Sequence, residues 1–407
     1  MGCRGRDQGA IAPSGITDFI AARLWGFPDM RFGFGIVSLF PGGGLQRDCI
    51  DIARRVHALG HDVTIFTTRI HGAVFTNGLS VHVLSTRRRT NHERQAEFSD
   101  RFTAASEAFD FIVGFDKLRC LDLLYCSEPS MLARIARNPI LRLLARYRRF
   151  LDLEKSCFDR NAGTKILLLN EAQVRQYGSA WRTQPQRLVL LPPTISRSRQ
   201  RPELRNRDFR KKFRSMLGLA DNDWAWLAIC VQPVTKGLDR VIRALPHFSD
   251  ARLLIAGLEE TEHKSVPIGR LARRLGVADQ IRWLGHREDV PELMAAADLF
   301  VHPARNDTTG TVILESIVNG LPVVTMVNCG YAKHVAAAGA GIVLELPFRA
   351  RSFIGSLDAA RQRTCASRWS ISARRYGQQN ELYQGRGQAA NIIVAAAEEK
   401  LARVRAV

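Results

Sequence analysis

Cysteine pairing is the first thing this chain lacks. Its eight cysteines, Cys3, Cys49, Cys120, Cys126, Cys157, Cys230, Cys329 and Cys365, are scattered without a C-x-x-C pair or a dense framework. That spacing excludes a disulfide-stapled scaffold, offers no cysteine metal site and suits reduced thiols in a cytosolic compartment. Long apolar runs are missing too, since nothing approaches the ~18 consecutive apolar residues that a membrane-crossing helix requires. The stretch Ala10 to Ile16 is short, broken by Pro13 and Gly15 and followed by charge, so it does not read as a signal peptide. The opening MGCRGR lacks the Ser or Thr of a myristoylation signal. The glycines of GFGIVSLFPGGG are not spaced as G-x-G-x-x-G, which argues against a dinucleotide-dependent oxidoreductase. Acid is in short supply: 39 acidic residues face 59 basic ones, a net charge of +20. Such an excess predicts attraction to polyanions, whether nucleic acid, anionic lipid or phosphorylated glycan. A nucleic-acid-binding protein is suggested by that charge alone, without a zinc spacing, an aromatic RNP-like motif or a lone basic tail, so no nucleic acid is expected.

What is present is an alternation of apolar runs and helical periods long enough, at 407 residues, for two domains with separate cores. Residues 1–30 read as an N-terminal extension, a flexible tail or an upstream start with Met30 as the effective beginning; the alternative is a small surface-seeking helix over Ile16 to Phe27. RFGFGIVSLF is a strand buried on both faces, bounded by Pro41 and the glycines at 42 to 44, and LQRDCIDIARRVHALGH carries the helical period that follows. HDVTIFTTR, LSVHVLST, FDFIVGFDK and KILLLN continue a doubly wound α/β domain over 31–195, ending at Pro192 and Pro193. Residues 196–221 are a polar, basic linker with a helix from about Asn206. A second doubly wound sheet occupies 222–365, and a helical segment fills 366–407.

The chemistry concentrates in DLFVHPARNDTTGTVILESIVNGLP, residues 298–322. A short strand runs into a polar turn, and a helix is expected from about Thr308. A helix start presents free N–H groups and the positive end of its dipole, a place for an anion. Asp307 and Glu315, eight residues apart, would lie on one side of such a helix and could sort hydroxyls around a phosphate, as a nucleotide sugar requires. Lys236, at a helix's first turn where cations are disfavoured, is explained if it neutralises a diphosphate, with Gly237 letting the backbone come close.

The acid-x7-Glu spacing resembles the E-x7-E signature of family 4 retaining glycosyltransferases of the GT-B fold. FPGGGLQRD, TNHERQAEF, GFDK, LPP, KGLDR, ELMAAADL, the HPA turn and CGYA, in order from Arg31 to Tyr383, are similar to the WaaG type of lipopolysaccharide core glucosyltransferase. The resemblance implies two Rossmann-like domains facing a cleft, with the C-terminal helix crossing back to the first. It implies a UDP-glucose donor held by Lys236, Gly237, Arg287, Asp307, Glu315 and the amides of Thr308, Thr309, Gly310 and Thr311, with Gly43 and Gly44 bordering the cleft. Asp48, Asn91, His92, Arg94 and Lys117 would face an acceptor heptose of the lipopolysaccharide inner core; read without the resemblance, Arg94 and Glu97 would simply pair on a helix surface. Transfer with retention is implied, and nothing resembles a D-x-D metal site, so no cofactor or divalent ion is expected. Two positions depart from the family: Thr235 stands where it has arginine, and Asp307 where it has glutamate. Residues 131–160, with Ile140, Leu141, Leu144 and Leu151 among Arg142, Arg146, Arg148 and Arg149, could lie in an anionic membrane interface; the alternative is a buried helix with a charged face. The resemblance puts the protein in the cytoplasm, peripheral on the inner membrane of a Gram-negative bacterium. Another UDP-hexose or another surface glycan remains open.

Overall fold

The computed structural model describes residues 29–405 apart from 42, 73–75 and 77, so the expected extension up to residue 28 and Gly42 lie outside the described residues. The first sheet is built from β1 (Arg31–Gly35), β2 (Asp62–Thr67), β3 (Ser80–Val83), β4 (Phe111–Gly114), β5 (Leu123–Cys126), β6 (Lys165–Leu168) and β7 (Leu188–Leu190), in the order β3-β2-β1-β4-β5-β6-β7. Every pairing is parallel. Phe32 and Phe34 are fully buried on one face, while Ile112 and Leu124 pack on the other with Phe98 and Phe102, which is why β1 reads as a continuous apolar run. The crossovers and flanking helices are α1 (Gly44–Ala58), α2 (Asn91–Ser106), α3 (Met131–Arg137), α4 (Ala145–Phe158) and α5 (Glu171–Trp181).

After α6 (Arg207–Met216), the second sheet repeats the plan with β8 (Trp224–Ile229), β9 (Ala251–Ala256), β10 (Ile281–Trp283), β11 (Leu299–His302), β12 (Val323–Met326) and β13 (Gly341–Leu344), ordered β10-β9-β8-β11-β12-β13. Its helices are α7 (Leu238–Ala244), α8 (Val266–Arg274), α9 (Val290–Ala296), α10 (Thr311–Val318), α11 (Ala332–Ala338) and α12 (Ala350–Arg361). Then come α13 (Arg363–Gln379) and α14 (Gly385–Arg405). Only α14 packs on the first domain: Ala389, Ala390 and Ile393 join the core of β1, whereas Ala373 of α13 stays in the core of the second. The chain therefore crosses back at 380–384, where Ile195 N donates to Leu382 O at 2.9 Å beside the outgoing linker. Arg386 then binds Asp48 of α1 at 2.7 Å.

The linker is not spare charge. Arg205, Arg210 and Arg214 turn onto the carbonyl end of α9: Arg205 donates to Met294 O at 2.7 Å, Arg210 to Ala297 O at 3.0 Å, and Arg214 to Ala296 O at 3.0 Å. Asp298 accepts from both Arg210, at 2.7 Å, and Arg214, at 3.2 Å. Cations at the negative end of a helix dipole, bonded to its otherwise unpaired carbonyls, are stabilising. Arg205, Arg210 and Arg214 thus fasten the linker to the second domain.

The basic stretch 131–160 is not one helix. Pro139 cannot continue α3, and a 3-10 turn over Pro139–Leu143 separates it from α4. Ile140, Leu143 and Leu144 on this turn are 71%, 77% and 52% exposed, whereas Leu151 is half-buried. The turn stands on a buried clamp. Glu154, fully enclosed, accepts from Lys117 Nζ and Ser130 Oγ at 2.7 Å, Met131 N at 2.6 Å, Leu132 N at 3.0 Å and Trp181 Nε1 at 2.8 Å. Burial opposes both charges, but Lys117 and the α3 amides hold the Glu154 carboxyl below its ordinary pKa, and Glu154 holds the Lys117 ammonium above its own. Breaking the pair leaves the buried Lys117 with only the exposed Glu128 at 3.6 Å and Pro129 O, so Glu154→Ala should cost about 3–5 kcal/mol in urea unfolding. Adding Lys117→Met should recover much of that loss.

Candidate active site

In each sheet the strand order reverses between two neighbours, β1 and β4 in the first and β8 and β11 in the second. Loops leaving the carboxyl ends of such a pair diverge and open a crevice. In the second domain these loops are 230–236 and 303–310. Two glycines let them approach: Gly237, at φ +75°, would put a Cβ 2.1 Å from Pro303 O, and Gly310 has φ +71°. Their side chains meet in the crevice. Asp307 Oδ2 lies 2.7 Å from Lys236 Nζ and 2.8 Å from His302 Nε2, while Asp307 Oδ1 accepts from Gly310 N at 3.0 Å. Burial alone would discharge His302, but the Asp307 carboxylate and Cys329 raise its pKa to about 9. Burial likewise opposes ionisation of Asp307, yet His302 and Lys236 hold its carboxyl well below the usual range. The centre is thus a carboxylate between two cations.

The helix begins later than the sequence suggests. Thr308 and Thr309 lie in the loop, and α10 starts at Thr311 behind the left-handed Gly310. A residue at φ +71° ends any helical path from Asp307, so Asp307 and Glu315 are related by a loop and one helical turn rather than by two turns. Glu315 is 4% exposed. Across the cleft, Arg47 of α1 has its Nε buried without a hydrogen-bond partner. Burial lowers the pKa of that guanidinium, and the negative charges of Glu315 and Asp48 counter it.

A family model described as glycosyl transferases group 1 matches residues 210–365, the segment that carries this crevice. The lipopolysaccharide glucosyltransferase WaaG of Escherichia coli (strain K12) is 32% identical over 374 residues, covering 89% of this chain and 98% of that protein. The crystal structure of WaaG superposes with a TM-score of 0.84 at 31% identity over 89% of this chain and 99% of that one. The chain belongs to the WaaG family of glycosyltransferases. At fold level it also matches HepE of Anabaena, solved in complex with UDP-glucose, with a TM-score of 0.67 at 16% identity over 93% of this chain and 100% of that one. The two parallel sheets are accordingly the GT-B pair of Rossmann-like domains.

Of the residues that the WaaG resemblance pointed to, the structure brings Lys236, Gly237, Asp307 and Gly310 together at one crevice, with Thr308, Thr309 and Thr311 next to them in the chain and Glu315 buried one helical turn further on. Others are otherwise engaged. Lys117 is not an open acceptor-side cation, because Glu154 holds it in the clamp. Asp48 is taken by Arg386 and by the Tyr125 hydroxyl at 2.9 Å. Arg287 forms a two-point pair with Asp289, its Nε at 2.7 Å. Gly43 packs against Gln46, whereas Gly44 borders open space. Asn91 is exposed at the start of α2; His92 Nδ1 and Arg94 Nε are buried without partners. Arg94 does not pair with Glu97, which instead accepts from the Arg87 and Arg88 amides at 3.0 and 3.2 Å and binds Arg101. The tripeptide Asp221-Asn222-Asp223 does spell D-x-D, but it forms the turn before β8, at the opposite edge of the sheet from the crevice, where Asp223 binds Arg252 at 3.3 Å.

Sequence reasoning missed His302, although it stands in the HPA turn, because an isolated histidine at a strand end carries no signal of its partner. It also missed Arg305. That residue's N donates to Thr235 O at 2.8 Å, its Nη1 to Val234 O at 2.7 Å, and its guanidinium pairs with Asp239 at 2.6 and 2.8 Å. Asp116, in GFDK at the end of β4, was likewise passed over; burial and Glu128 push its carboxyl up to about 7 although Val37 N donates to it at 2.6 Å. The His302 shift has a stability consequence. Its folded-state pKa of about 9 lies above the ordinary 6.5, so its contribution is complete below pH 6.5 and is lost as pH rises through 9. In thermal melts, His302→Asn should therefore be less stable than wild type at pH 6, with the gap narrowing towards pH 9.5.

Proposed function

We propose that the chain transfers glucose, with retention, from UDP-glucose to an inner-core heptose of lipopolysaccharide, in an α-1,3 linkage by resemblance to WaaG. The observation that carries this reading is the Lys236–Asp307 pair at the second-domain switch point, 2.7 Å apart and 26% and 10% exposed, within the group 1 glycosyltransferase segment. An ammonium held in place by a carboxylate can bind an incoming diphosphate and stabilise the charge that grows on it as the glycosidic bond breaks. Arg305, its guanidinium held by Asp239 and Val234 O, braces the loop that carries Thr235, which leaves Lys236 as the ammonium that faces the diphosphate. Glu315 takes the ribose hydroxyls. Asp307, its oxygens already occupied by Lys236, His302 and Gly310 N, acts chiefly by orienting Lys236 and reaches the hexose less directly.

The leaving diphosphate oxygen accepts the proton of the acceptor hydroxyl on the same face, and the transition state has oxocarbenium character. Charge is met by Lys236 and loop amides, so the reading needs no divalent ion. No helix of the described residues is long and apolar enough to cross a membrane. In this reading the protein docks on the anionic inner-membrane surface through the exposed Ile140, Leu143 and Leu144, ringed by Arg137, Arg142, Arg146, Arg148 and Arg149. That turn belongs to the acceptor-side domain, where a lipid-linked acceptor arrives.

A donor panel with a truncated, heptose-containing lipopolysaccharide acceptor tests the activity. UDP-glucose should be turned over best, and preference for another UDP-hexose would overturn the donor assignment. Lys236→Ala should lower kcat by about 10²–10³ with an unchanged circular-dichroism spectrum. The protein should sediment with anionic liposomes and be released by salt, and Leu143→Asp should weaken that binding; equal binding to neutral vesicles would contradict the docking surface.

A further inference from the structure

We propose that Asn170 is a positioning residue that holds the donor loop from across the cleft, through a hydrogen bond from its side-chain amide to the backbone carbonyl of Thr308. The inference rests on the reading of 303–310 as a donor loop. Asn170 ends the strand-to-helix turn after β6 and is 7% exposed. Its Oδ1 caps α5, accepting from Gln173 N at 2.9 Å, so the orientation of the amide is set by the cap. The opposite end, Nδ2, then points outward and donates to Thr308 O at 2.5 Å and towards Gln173 Oε1 at 3.4 Å. Gln173 is fixed in turn, donating to Cys126 O and Glu128 O at 3.0 Å and accepting from Leu169 N at 2.8 Å. A continuous chain of bonds thus runs from the carboxyl end of β5, in the acceptor-side domain, to the loop that carries Asp307.

The second domain is shaped to receive this contact. Gly330 N donates to Asp307 O at 3.0 Å and Tyr331 N to Thr309 O at 2.7 Å, which leaves the Thr308 carbonyl between them directed at Asn170. Any side chain at Gly330 would close the gap, since an added Cβ would stand 1.9 Å from Thr308 O and 3.0 Å from Asn170 Nδ2. Because a peptide unit is planar, fixing the Thr308 carbonyl also fixes the direction of the Thr309 N–H that follows it. That amide belongs to the loop assigned to the diphosphate. Beside it, Glu171 and Lys333 form an exposed ion pair across the same gap at 2.7 Å. Asn170 therefore makes the donor loop's geometry conditional on the two domains being together.

Two substitutions separate this role from helix capping. Asn170→Asp and Asn170→Ser both keep a side-chain oxygen for the Gln173 amide, but the carboxylate cannot donate to Thr308 and the hydroxyl is too short to reach it. In the full-length protein Asn170→Ser should melt close to wild type, whereas Asn170→Asp, whose carboxylate faces Thr308 O and Gln173 Oε1, should melt lower. Each should bind UDP about three- to tenfold more weakly by calorimetry, the loss of one hydrogen bond, and raise the KM for the nucleotide sugar more than it changes kcat. Wild-type UDP affinity and KM in both variants, or lowered melting temperatures with unchanged UDP affinity, would overturn the proposal. If the wild-type chain itself binds no UDP, the donor-site reading fails and this inference falls with it.

Discussion

The carboxylate of Asp307 is the point on which the second domain's crevice turns. Two loops from strands that are neighbours in space but far apart in sequence could diverge freely; instead a lysine from one and an aspartate from the other meet at 2.7 Å, with His302 closing the other side. A buried cation or a buried anion alone would be costly, and together they are tolerable only while the geometry holds. That geometry depends on Gly237 and Gly310, both at positive φ, and on the backbone bonds from Gly330 and Tyr331 that brace the loop from below. In the proposed reading, an arriving diphosphate would find an ammonium already positioned and need only compete for it.

The same principle accounts for where the chain's excess positive charge goes. Three arginines of the linker, Arg205, Arg210 and Arg214, are bound to helix-end carbonyls, two of them also to Asp298, and Arg386 is bound to Asp48. Lys117 is sealed against Glu154. Net charge alone therefore overstates the surface available to polyanions. The arginines around the 3-10 turn at Pro139–Leu143 are different: they are exposed and stand beside exposed Ile140, Leu143 and Leu144. Apolar tips ringed by guanidinium groups suit an anionic interface better than a nucleic-acid groove.

The two sheets were legible because buried parallel strands leave continuous apolar runs, as in RFGFGIV and WAWLAI, and the crevice was legible because strand ends, glycines and charged residues recur together in KGLDR and the 298–322 stretch. Helix register was not. Nothing local says that Gly310 is left-handed, and that one φ moves the start of α10 from Thr308 to Thr311. Pairing was not legible either. Lys117 and Glu154 are 37 positions apart, and Asn170 and Thr308 are 138 apart, so which charge or amide is free and which is spoken for is decided only when the fold brings them together. CGYA was visible as a motif, but the need for glycine at 330 appears only once Thr308 O stands where a Cβ would be.

The most direct measurement is a crystal structure of the protein with UDP bound. The diphosphate should lie within hydrogen-bond distance of Lys236 Nζ and of the amides of 309–311, with Glu315 on the ribose hydroxyls. A nucleotide bound elsewhere, or one that leaves Lys236 bonded only to Asp307, would contradict the account.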